Sequence, residues 1–175
     1  MLDEKRIKEA ESNVKTYLTE GILRKTSFNQ NIFQILKKNA QESLDIANFL
    51  YKNRKSSLWI IVASYYSMFY LANALLYKWG YKVGDKISHK VTADALIVFA
   101  RNKSKQSLIE SYEDIRDEAL ATMKSDELIQ YFDFERRKRS FIQYQTPEEI
   151  KISKVETSLK RAKEFMLEIE KLLEG

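Results

Sequence analysis

Chain breakers are the scarcest residues in this sequence. Four Gly and one Pro are spread over 175 positions. An all-β chain needs turn residues every 8 to 12 positions or so, and this chain cannot supply them. It is expected to fold as an all-α, up-and-down bundle of four main helices with an additional N-terminal helix. The division expected is residues 1–30 as an N-terminal helical extension and 31–175 as the bundle.

Two other small counts remove chemistry. There is no Cys and one His. Disulfides, thiolate zinc sites, iron–sulfur centres and thiol nucleophiles are therefore excluded. So are HExxH and any His-rich metal site within one chain. None of the glycines is spaced as GxGxxG or GxxxxGK, which removes both common phosphate loops. No metal and no cofactor is expected. The longest uninterrupted apolar run, Leu58 to Ala63, is broken by Ser64, whereas a membrane span needs about 20 mostly apolar residues. The opening MLDEKRIKEAE is charged throughout and is no secretory signal. A cytoplasmic protein without a membrane partner is expected.

Apolar spacing predicts the helices. Ile7, Ala10, Val14, Tyr17 and Leu18 mark one over 3–19, ended by Gly21, and residues 22–30 read as a polar connection. Ile32, Ile35, Leu36, Ala40, Leu44, Ala47 and Leu50 mark a second from about Gln30 to Asn53. The third, from about Ser57 to Trp79, is apolar nearly all round, as the buried centre of a bundle should be. Tyr65, Tyr66 and Tyr70 lie on it and are expected to pack in the core, with partners for any buried phenol. After a loop at GYKVGDKISHK, Ser88 or Asp85 is expected to cap a helix over 89–101. Another helix runs over 106–124, with a restart or bend at Ser125 and Asp126 before a segment 127–145. Thr146-Pro147-Glu148-Glu149 reads as a capping box with Pro at the first helical position. The last helix then carries Ile152, Val155, Leu159, Ala162, Met166, Ile169 and Leu173 in alternating steps of three and four.

Charge suggests where a site could lie. The net charge is +5, and seven bases against two acids fall between Lys78 and Lys105. A second concentration is Arg136-Arg137-Lys138-Arg139. On a helix Arg136, Arg139 and Gln143 share a face, with Tyr144 one turn on. Guanidinium forks grip phosphate and an aromatic ring stacks on bases, so the pattern suits RNA or nucleotide. His89 lies between Lys86 and Lys90 at a helix start. It reads either as a first-turn surface residue or as a proton carrier or phosphate contact.

The strings Ala63-Ser64-Tyr65-Tyr66-Ser67-Met68-Phe69 and Ser88-His89-Lys90, in that order after Ala40-Gln41-Glu42-Ser43-Leu44-Asp45-Ile46-Ala47, resemble the HEPN superfamily. The branch is the small stand-alone prokaryotic proteins with an AYYxMF signature. The resemblance covers about residues 35–170. It implies a helical bundle that forms a homodimer, often beside a minimal nucleotidyltransferase in toxin–antitoxin pairs. Catalytic relatives are metal-independent ribonucleases with an Arg-x4–6-His motif. Here Arg139 matches the arginine, and Tyr144 stands where the histidine would be. The resemblance thus implies a nucleotide- or RNA-binding module without efficient catalysis. Arg136, Arg139, Gln143, Tyr144 and Lys90 are its contacts. The alternative is a ribonuclease in which Arg139 works with Tyr144 or His89. A third reading is an interaction module for a nucleotidyltransferase, docking through the Ile152–Leu173 face or the Trp59 region.

Overall fold

The computed structural model describes residues 2–136 and 151–174, with side chains outside 124–150. The fold is an all-α bundle: α1 (Glu4–Thr19), α2 (Gln30–Lys52), α3 (Ser57–Lys78), α4 (Ser88–Ala100), α5 (Gln106–Arg136) and α6 (Ile152–Glu174). One short ribbon accompanies the helices, β1 (Leu23–Lys25) antiparallel to β2 (Tyr81–Val83).

The all-apolar α3 is the axis, with α2, α4, α5 and α6 packed around it. Among the described residues it is the one helix long and apolar enough to cross a membrane, and most of it is buried inside the bundle. Three buried rings link its middle to its neighbours: Tyr65 lies 6.0 Å from Tyr112 of α5, and Tyr112 lies 5.5 Å from Phe165 of α6. On α6, Val155, Leu159, Ala162, Met166, Ile169 and Leu173 all face the core, as their spacing predicts. Ile152 does not and is 70% exposed. That face is closed by the bundle itself, so it is no docking surface.

Side-chain caps set the early helix starts. Asp3 accepts from the Arg6 amide at 2.7 Å, Asn29 from Asn31 and Ile32, and Ser56 from Trp59. Gly21 (φ 69°) and Gly80 (φ 85°) reverse the chain after α1 and α3, a backbone region that costs other residues a Cβ clash. Both turns feed the ribbon. Three-residue strands are too short to show an alternating pattern, and residues 22–30 and 80–90 therefore read as plain loops in sequence.

Three other expectations change. Neither Ser88 nor Asp85 caps α4: Ile87 occupies the N-cap in a left-handed conformation (φ 45°), with no side-chain bond. Of the restart or bend expected at Ser125 and Asp126, the restart does not occur: α5 runs unbroken to Arg136. Ile35, expected on the inner stripe of α2, is 57% exposed. The capping box around Pro147 lies outside the described residues.

The N-terminal helix is pinned along α4 and α5 by polar contacts. Asp94 of α4, fully buried, accepts from Arg6 Nη2 at 2.6 Å, Asn13 Nδ2 at 3.0 Å and the Tyr17 hydroxyl at 3.0 Å. Arg6 also pairs with Glu113 of α5, and Arg101 pairs with Glu11.

Candidate functional site

His89 sits in the first turn of α4 because Ile87 starts the helix two residues earlier. The Ile87 carbonyl accepts from the amides of Lys90 and Val91. This start swings the imidazole inward. It is half-buried against Phe69 (ring centroids 4.6 Å), Tyr65 (5.4 Å) and the edge of Tyr66 (5.9 Å). Its Nδ1 lies 2.7 Å from the Tyr65 hydroxyl. Tyr65 is thus both a core residue and the partner of the lone histidine, a role its packing position did not announce.

Burial, and then the nearby positive charge of Arg116, holds the His89 imidazole below its ordinary value. Burial likewise holds the Tyr65 phenol well above its own. Both groups are neutral at pH 7. The Tyr112 hydroxyl faces the same spot and is fully buried, yet it lacks a partner in full hydrogen-bonding geometry. When Tyr65 donates to Nδ1, the imidazole proton sits on Nε2. The ring is then a hydrogen-bond donor rather than a base there.

Lys90, next along, is exposed and has no carboxylate partner among the described residues. It lines a hollow of about 280 Å³ with Arg6, Glu9, Arg116, Asp117 and Leu120. Arg116 is held by Asp117 (2.7 and 2.9 Å) and more loosely by Glu113 (3.7 Å). Arg6 is held by Asp94 and Glu113. Lys90 is therefore the one lysine or arginine of this hollow without an ion pair. No sequence signal singled out Arg116, which lies 27 residues from His89 in a helix of mixed charge.

The second group of candidates lies elsewhere. Arg136 is the last residue of α5, and Arg139, Gln143 and Tyr144 lie outside the described residues. At the α-helical rise, Arg136 is about 30 Å further along α5 than Arg116. Within one chain the His89–Lys90 group and the start of the basic run are therefore far apart. No group of three or more His, Asp or Glu able to hold a metal occurs among the described residues. No family model, no curated protein and no solved structure matches the chain.

Proposed function

We propose that the chain is a HEPN-like helical module that binds RNA or nucleotide, without efficient catalysis. The observation that carries this reading is His89. The imidazole is held neutral, and its bonding partner is a phenol, not a carboxylate that could take up or relay a proton. With Tyr65 donating to Nδ1, such a ring presents Nε2–H beside the unpaired Lys90, and the pair suits holding a phosphate or a base edge. Arg136, Arg139, Gln143 and Tyr144 would add the phosphate grip and a stacking face. The separation of the two groups favours an RNA strand over a single nucleotide, which cannot reach across about 30 Å.

The test is binding of labelled single-stranded RNA and of mononucleotides at rising salt. The reading expects salt-sensitive RNA binding that drops sharply in the Arg136→Ala, Arg139→Ala double variant and more mildly in Lys90→Ala. It fails if wild type shows no salt-sensitive binding, or if the double variant binds equally. RNA incubated with the protein in EDTA should stay intact, and cleavage would move the conclusion to the ribonuclease alternative.

A second reading, partnership with a minimal nucleotidyltransferase or a second copy of the chain, is favoured by one observation. Trp59 is 56% exposed, and Ile46 and Phe49 of α2 are 54% and 62% exposed. Light scattering of the purified chain, alone and mixed with such an enzyme, separates a monomer from either assembly.

A further inference from the structure

We infer that the corner between α2 and α3 is a second RNA-contact site, formed by Lys52, Arg54 and Lys55 with Tyr51 and Trp59; this rests on the RNA-binding reading above. These three cations are exposed and have no carboxylate partner among the described residues. They surround a hollow of about 550 Å³ that Tyr51, Ser57 and the start of α6 complete. Among the described residues the only acid on its wall is Glu156, and its carboxylate already accepts from the Tyr51 hydroxyl at 2.8 Å. Among those residues three cations thus face one carboxylate.

The backbone singles out one of the three. α2 ends with the amide of Lys55 donating to Leu50 and that of Arg54 to Tyr51, the Schellman pattern. The residue at its turn takes a left-handed conformation and is usually Gly. Here it is Arg54, at φ 49°. An arginine at a position where backbone preference favours glycine points to a role for its side chain.

Aromatic surface accompanies the charge. Tyr51 is 37% exposed and lines the hollow, and Trp59, in the first turn of α3, is 56% exposed. Cations spaced along a groove beside exposed rings are the means by which proteins hold single strands without reading sequence. A concave hollow fits a strand's backbone and not the plane of a bilayer.

The experiment measures anisotropy of a labelled single-stranded RNA of about 20 nucleotides against salt, with the full chain. The Lys52→Gln, Arg54→Gly, Lys55→Gln variant should bind roughly ten-fold more weakly near 0.1 M salt. Its log–log salt slope should be shallower by about 2, three contacts at about 0.7 each. Arg54→Gly alone should also weaken binding while leaving the thermal midpoint unchanged or higher, since Gly suits that backbone; this separates lost contact from lost fold. Trp59→Ala should weaken binding with no change in slope. The inference is overturned if wild type binds RNA and the triple variant keeps the same affinity and slope, an outcome that leaves the RNA-binding reading standing. It is also overturned if the triple variant loses only binding to phosphatidylserine vesicles. If wild type binds no RNA, both readings fall together.

Discussion

Two buried polar clusters flank α4, and they are built differently. At Asp94 both carboxylate oxygens are used, one by Arg6 and the other by Asn13 and Tyr17. At His89, one turn and a half earlier, the imidazole has one bond, is half-open to solvent, and shares its surroundings with a Tyr112 hydroxyl that approaches Tyr65 without full hydrogen-bonding geometry. The Asp94 carboxylate spends all its bonding capacity on α1, as a structural junction should, although Arg6 Nη1 is buried there without a partner. Spare bonding capacity beside solvent is what a binding site needs. The first cluster holds α1 on the bundle, and the second fits the binding role proposed for His89 and Lys90.

The largest expected effect lies at the Asp94 cluster. Asp94→Ala should destabilise the fold by about 3 kcal/mol, since it strands Tyr17 and Asn13 without their acceptor and leaves Arg6 with Glu113 alone. The shift of the urea midpoint measures it, and hydrogen exchange should show α1 opening first. A shift as small as that of a surface substitution would break the comparison.

The open cluster should respond less, and unevenly. Tyr65→Phe removes a hydroxyl bonded to His89 and should cost about 1 kcal/mol, while Tyr112→Phe removes one that lacks full hydrogen-bonding geometry and should cost less. Equal costs for the two, read from the same urea curves, would mean that the two phenols share one bond network.

The smallest effect is with pH. Burial and Arg116 lower the His89 value, so the folded state binds its proton less readily than the unfolded chain does. Stability should therefore fall as pH drops below the ordinary value of 6.5, until the lowered folded value is passed. Lys90 and Arg116 are the cations near the ring, and its other neighbours are the neutral rings of Phe69, Tyr65 and Tyr66. The thermal midpoint between pH 7.5 and 5 should decline less in His89→Gln than in wild type. An identical decline would place the acid sensitivity at other groups.

Much of the helical frame was legible in the residues. Gly21 and Gly80 end α1 and α3 where the sequence put their ends, and the alternating steps on α6 bury what they predict, apart from Ile152. Such signals are local: a cap, a turn conformation or a 3.6-residue period lies within a few positions of the chain. The Ile87 cap escaped because a left-handed isoleucine has no sequence mark. The ribbon escaped because its strands are three residues long and pair across more than fifty positions.

The site was legible only in part. His89, Lys90 and the run from Arg136 could be named from charge and rarity, and the corner at Lys52 to Lys55 was not among them. Tyr65 meets His89 across 24 positions and Arg6 meets Asp94 across 88, and neither pairing leaves a periodic trace. The sequence by itself determined that this chain is helical, where its helices turn, and which side chains are available for chemistry, because those properties depend on backbone preference and composition. Only the tertiary structure decided which of those side chains are neutral, which are paired and which stand free, because burial and distance are created by packing segments that are remote along the chain.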